Sequence, residues 1–369
     1  MQQQYHLHQS WLWLLLLPLL SLSSCSGADT DDAGNLPAAS AMPISFTALS
    51  KWDEAQAKSS TSPHTRLSED ATTKTLSFDK NDAIGVFAYL NSSDTPNFMN
   101  NQKVTYDGAN WNYSPVKYWP NNEADKLSFY AYYPHRESSD GDTIKAISSS
   151  NDKLTINYCC PNANIDLMAS EPVSGLTYTS GQGKVPLKFQ HLLARVKFTF
   201  TYEGKDDYRP VIHVLKYMIP RYKATVTCYT GNVESATNEV DNSKFPFVWS
   251  ELPADNEPVE IERYVSDVAG EVLVEKGQLI KEFTAYLLPC NFPCSSDGAT
   301  QKGSFTFSLN NVLYTYTPQN IIPVYAGKSY TVNFIIASKS SGSTSEENKY
   351  FITSYSIWAD GGTINGTLE

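Results

Sequence analysis

Val185 to Tyr202 reads VPLKFQHLLARVKFTFTY and is the strongest strand signal in the chain. Its β-branched and aromatic residues favour a pleated, half-buried backbone. The Gly/Ser break before it, Ser180-Gly181-Gln182-Gly183, marks the expected division between two domains. Upstream the hydrophobic period is two from Thr75 onward. Leu76 and Phe78 alternate with polar neighbours, then Ile84, Val86 and Ala88 alternate with Gly85, Phe87 and Tyr89. Val104-Thr105-Tyr106 and Trp111-Asn112-Tyr113, joined by Asp107-Gly108-Ala109-Asn110, read as a hairpin. Leu127 to Tyr133 (LSFYAYY) is stopped by Pro134, and Leu154, Ile156 and Tyr158 form another alternating strand. Downstream, strands are expected over Ile212–Ile219, Ala224–Tyr229, Val259–Tyr264, Leu279–Leu288, Phe305–Leu309, Val312–Tyr316 and Ser329–Ile336. A last pair covers Phe351–Trp358 and Gly362–Leu368, after a Ser- and charge-rich loop from Ser338 to Asn348. Many short strands with turn signals about every ten residues predict an all-β fold of two β-sandwiches.

Composition agrees. The 369 residues include 23 Tyr and 16 Phe against 5 Met, a tilt toward strands. A hydrophobic share of 41% with 18% charged residues excludes bulk disorder. The formal net charge of −11 argues against nucleic acid as a partner, since no cationic excess is available to neutralise phosphates.

The N-terminus reads as an address. Trp11 to Leu20, WLWLLLLPLL, is too short to span a bilayer and suits the apolar core of a signal peptide. Leu22-Ser23-Ser24-Cys25 follows, resembling a bacterial lipobox, in which cleavage precedes a cysteine that carries lipid. Residues 1–24 are thus expected to be a lipoprotein signal peptide and Cys25 the lipidated residue, anchoring the protein to a membrane by its acyl chains. The polar, acidic stretch after Cys25 reads as a flexible tether. Its Asp29, Asp31, Asp32 and Gly34 do not make a calcium loop, because Ala33 and Ser40 occupy ligand positions.

No catalytic constellation emerges. Gly327-Lys328-Ser329 imitates the end of a phosphate loop, but Ile322 stands where its first Gly belongs and the flanks read strand–turn–strand. Glu260 and Glu262, two apart on one strand, fit a solvated face. His135, His191 and His213 have no i, i+4 partner, and His191 reads as a structural histidine. The chain is therefore expected to be no enzyme and to hold no cofactor or metal. With Cys25 lipidated, Cys159, Cys160, Cys228, Cys290 and Cys294 are an odd set whose pairing stays open. Cys159 and Cys160 are adjacent and poorly placed for a mutual bridge.

An ordered series of motifs carries a resemblance. Asp82-Ala83-Ile84-Gly85-Val86-Phe87-Ala88-Tyr89 is followed by Asn100–Tyr106, Trp111–Pro115, Tyr118-Trp119-Pro120 and Leu127–Pro134. Later come the Phe-x-His-x-Leu-Ala-Arg core of Val185–Phe198, Leu287-Leu288-Pro289 and Ala326–Tyr330. This series resembles the fimbrillin family, the type V pilus subunits and associated surface lipoproteins of Bacteroidetes. The resemblance implies two transthyretin-like β-sandwich domains in tandem, over 67–183 and 184–369. It also implies export to the outer membrane as a lipoprotein, cleavage by a trypsin-like protease after an Arg, and assembly with other pilus subunits by strand exchange, in support of adhesion. On that pattern 25–66 is a tether and propeptide whose strand is Ile44–Leu49, and the cut falls between Arg66 and Leu67. The candidate donor strand is the C-terminal tail, with Phe351, Tyr355, Ile357, Trp358, Ile364 and Leu368. The rival readings are a non-polymerising anchor or tip protein, and a lipid-anchored glycan-binding protein using Trp111, Trp119, Trp249 or Trp358 as stacking platforms for a host or glycan ligand.

Overall fold

The computed structural model describes residues 42–51, 67–69, 75–137, 144–150, 153–160, 164–202, 212–220, 222–229, 247–250, 258–264, 279–292, 294–295, 298–302, 304–309, 312–316, 322–338, 350–359 and 362–367. These form strands, numbered in chain order, and one short helix, α1 (Tyr178–Gly181). Among the described residues no helix is long and apolar enough to cross a membrane.

The largest sheet contains β1 (Ser45–Lys51), β2 (Leu67–Glu69), β3 (Thr75–Phe78), β4 (Ala83–Leu90), β5 (Met99–Tyr106), β6 (Trp111–Asn112), β7 (Leu127–Tyr133), β10 (Met168–Ser170), β11 (Val173–Leu176) and β12 (Lys184–His191). Its spatial order is β2-β3-β1-β12-β10-β7-β4-β5-β6, with β11 also on β7. Strands near the two ends of the sheet come together: Phe78 of β3 packs edge-on against Trp111 of β6 at 5.0 Å. A second sheet, β8 (Ile144–Ser150), β9 (Lys153–Cys159), β15 (Lys223–Tyr229) and β16 (Phe247–Ser250), shares its core. Period-two alternation puts Leu154, Ile156 and Tyr158 of β9, and Ala224, Val226 and Cys228 of β15, into that core.

A second core lies between two further sheets. One is ordered β18 (Leu279–Leu287), β13 (Ala194–Tyr202), β25 (Ser329–Ser338), β26 (Tyr350–Ala359) and β27 (Gly362–Thr367). The other is β17 (Val259–Tyr264), β14 (Ile212–Ile219), β22 (Phe305–Leu309) and β23 (Val312–Tyr316). Two small pairs accompany them: β19 (Cys290–Phe292) with β24 (Ile322–Val324), and β20 (Cys294–Ser295) with β21 (Gly298–Lys302). Phe198 stacks on Tyr217 at 5.1 Å and Phe200 meets Phe307 edge-on at 5.7 Å, so aromatic rings join the two facing sheets. Leu309 pairs with Val312 at the end of the β22–β23 ladder.

The cores do not follow one another simply along the chain. The change of core falls between Leu193 and Ala194, beyond the Gly/Ser break. The expected boundary between 183 and 184 therefore moves, because β12 is a central strand of the first sheet. The chain then enters the second core with β13 and β14, returns to the first with β15 and β16, and leaves again with β17. In β18 the alternation is divided between the cores: Ala285 and Leu287 point to the second, Tyr286 to the first.

One glycine is dictated by packing. The ring of Tyr132 crosses Gly85, and a Cβ there would lie 2.2 Å from Tyr132 Cε1. The Tyr132 hydroxyl in turn donates to Asn101 Oδ1 at 2.8 Å and accepts from the Arg136 N–H at 3.2 Å, tying down the corner after β7. Gly85→Ala is expected to cost about 1–3 kcal/mol by overpacking, read as a lower denaturation midpoint at unchanged m-value.

Candidate functional site at the first strand

β1 comes from the segment that the sequence marks as a possible propeptide, and it lies inside the large sheet. Ile44 and Phe46 are 2% and 5% exposed, while Ser45, Thr47 and Leu49 face outward, Leu49 at 64%. This is period-two alternation with one face in the core. β1 runs parallel to β12, from Ser45 opposite Lys184 to Ser50 opposite Phe189. On its other edge β3 pairs only with Ser50 and Lys51. β1 thus fills a gap between β3 and β12.

The start of the strand is held by residues 113–119. The Ile44 N–H donates to the Lys117 carbonyl at 2.9 Å, and the Trp119 N–H donates to the Met42 carbonyl at 3.0 Å. The Tyr113 hydroxyl donates to the Ile44 carbonyl at 2.9 Å. Burial raises the Tyr113 pKa above its ordinary value, so the phenol stays protonated and remains a donor. Phe46 meets Tyr113 and Phe129 edge-on at 5.6 and 6.1 Å. Sequence reading missed the Tyr113 contact, which joins residues 69 positions apart. Its only local signal is the neighbouring Tyr118-Trp119-Pro120 motif.

The other expected site residues fall as follows. The signal peptide, Cys25, the tether, Arg66 and Leu368 lie outside the described residues, as do the side chains of Leu67, Cys294, Phe351, Tyr355, Ile357, Trp358 and Ile364. Leu67 begins β2, opposite Phe78. The two C-terminal strands add to the edge of their own second-core sheet: Tyr355 pairs with Phe334, and Ile357 lies between Val332 and Ile364. Trp119 is buried and its Nε1–H donates to the Gly183 carbonyl at 3.3 Å. Trp111 packs on Phe78 and Tyr106, and Trp249 Nε1–H reaches the Leu192 carbonyl at 3.1 Å. All three therefore serve packing.

His191 is a buried structural residue, with Nδ1 2.9 Å from Asp166 Oδ1. Glu260 and Glu262 flank Lys216, whose Nζ lies 3.5 and 3.1 Å from them. The hydrogen bond that Lys216 donates to Glu262 leads the upward shift of the Lys216 pKa. Cys160 and Cys228 are buried, and desolvation raises the Cys228 thiol well above its ordinary pKa, which makes it inert. Among the described residues no group of His, Cys, Asp and Glu is placed to hold a metal ion.

The fold and this site define an all-β protein with two cores, the first of them completed by its own N-terminal strand. The profile of the family described as fimbrillin-like matches residues 65–349. The chain belongs to the fimbrillin-like family. It is 31% identical over 147 residues to fimbrium subunit Fim1C of Phocaeicola vulgatus, a match that spans 34% of this chain and 38% of that relative. Among solved structures, a fimbrial protein of Bacteroides vulgatus aligns with a TM-score of 0.42 at 17% identity, over 77% of this chain and 92% of the other. A candidate cell adhesion protein of Bacteroides ovatus aligns with a TM-score of 0.49 at 10% identity, over 89% and 96%.

Proposed function

We propose that this chain is a structural, adhesive subunit of a cell-surface fimbrium, exported to the outer membrane as a lipoprotein through Cys25 and assembled with other subunits by strand exchange. The observation that carries the reading is the position of β1, seated between β3 and β12 with Ile44 and Phe46 in the first core. A strand so placed completes a core and yet hangs on a segment, residues 52–66, that ends at a trypsin-type site, Arg66. Family membership and the fimbrial name of Fim1C support the role.

Cleavage weakens no contact of β1. It turns an intramolecular contact into a bimolecular one, removing an effective concentration of about millimolar order for a short tether. Once β1 departs, the gap exposes unpaired backbone on β12 and an apolar trough, which is a strong acceptor for another chain's strand. The tandem transthyretin-like description of the two sandwiches belongs to the same proposal.

The test is Arg66→Ala in the full chain, treated with a trypsin-like protease beside wild type. Wild type is expected to yield a mature chain beginning at Leu67 and to form polymers that run as ladders on gels. The variant should keep its segment and stay a folded monomer. Polymerisation of the variant at the wild-type level would exclude β1 as the plug.

A further inference from the structure

The corner that follows β7 is built around a buried histidine. The side chain of His135 is 3% exposed, and its Nε2 has no hydrogen-bond partner. We propose that His135 is an acid-sensitive pin, which holds this corner closed while the ring is neutral and opens it when the ring is protonated. The inference does not depend on the strand exchange proposed above.

The corner begins in β5. Val86 pairs with Gln102 but Ala88 with Met99, so β5 carries a bulge opposite Phe87. Within it Asn101 stands at φ 48°, a left-handed backbone that non-glycine residues seldom adopt. The bulge aims the Asn101 amide at the corner, where Oδ1 accepts from the Tyr132 hydroxyl and Nδ2–H donates to the Arg136 carbonyl at 2.9 Å. The His135 N–H donates to the Ala83 carbonyl at 2.8 Å, so the corner joins β4, β5 and β7. The imidazole is tilted against the Tyr132 ring at 6.5 Å and reaches the backbone carbonyl of Asn101.

A proton on this ring would set a cation where little answers it. On its own segment, Glu137 Oε1 lies 3.9 Å from Nε2, beyond hydrogen-bond length, on a side chain 65% exposed. Arg136 beside it and Lys103 of β5 both oppose the charge, while the Asn101 carbonyl favours it. Tyr132 of β7 is a phenol that burial keeps protonated. Next to Ala83 of β4, the Asp82 carboxylate takes the Tyr133 hydroxyl at 3.2 Å and the Asp79 N–H at 2.8 Å. Desolvation outweighs these neighbours and holds the His135 pKa below its ordinary value of 6.5. The opened corner takes up a proton at the ordinary value, the closed one only at lower pH. Closure is therefore fully stable above about pH 6.5 and loses stability as the pH falls from there toward the folded value. Glu137 is the carboxylate that limits this loss.

The experiment measures amide hydrogen exchange over residues 132–137 of the full chain, corrected for the pH dependence of exchange in free peptides. Between about pH 7.5 and about pH 5.5, wild-type protection is expected to fall by up to about tenfold, since a proton bound only by the opened form drives opening about tenfold per pH unit. His135→Gln, which keeps a polar side chain but cannot titrate, should keep the same protection at both values. Wild-type protection that does not change, or a loss in His135→Gln as large as in wild type, would overturn the proposal. A second readout serves even where His135→Gln does not fold. The chain has 6 His, and in a sample labelled with 15N-histidine one ring should titrate below 6.5 and lower still in Glu137→Gln. Asp94→Asn removes the same charge beyond the far end of β4 and should leave that ring where it is. If Glu137→Gln moves no histidine, or Asp94→Asn moves the same one equally, the pin is not at His135.

Discussion

A chain ending at Leu193 is expected not to fold, although it contains every strand of the large sheet. The first core also needs Ala224, Val226, Cys228 and Phe247 from β15 and β16, and Tyr286 and Leu288 from beyond them. Truncation removes these and strips β9 of its ladder from Lys153 opposite Tyr229 to Cys159 opposite Lys223. At about 1.5–3 kcal/mol for each large side chain, losing Val226, Phe247, Tyr286 and Leu288 costs on the order of 10 kcal/mol, as much as the whole net stability of an ordinary domain. Circular dichroism of residues 42–193 should show no cooperative melt, and the fragment should bind a hydrophobic dye. A sharp two-state melt would mean that β15 and β16 are ornaments on a core already complete.

Phe46→Ala is expected to destabilise the uncut chain by about 3–5 kcal/mol, the usual range for emptying a buried aromatic site. Thr47→Ala, one residue on but facing solvent, should stay within about 0.5 kcal/mol. The pair of variants separates loss of the pocket contact from general damage to the strand. A second readout links the contact to function. Because the proposed cut removes residue 46, polymers grown from cleaved Phe46→Ala should match wild type in length and stability. If the uncut variant melts with wild type, Phe46 does not hold β1 in place. If cleaved material differs, the segment remains in the polymer.

Much of the architecture is legible along the chain. Alternation in Leu154–Tyr158 and in Ser329–Ile336 reports which face is buried, because a strand's side chains change sides at every residue whatever its partner, whereas β4 is buried on both faces from Ile84 to Tyr89. The Gly/Ser punctuation at Ser180–Gly183 likewise reports where the chain turns before β12, since those residues adopt turn conformations at low cost. Ile44–Leu49 shows one apolar face in the sequence and one buried face in the fold.

What pairs with what is a different kind of information. The sequence by itself determined an all-β chain, the positions of most strands and the amphipathic character of β1, since these depend on local periodicity. Only the tertiary structure decided that β12 belongs to the first core, that β15 and β16 return to it, and that Tyr113 grips the backbone of Ile44. Each depends on contacts between residues far apart in the chain, and a strand's alternation is the same beside any neighbour. The Gly/Ser break marks a turn, and a turn leads equally well back into the same sheet as out to another, so the domain boundary could be found only where the cores themselves part.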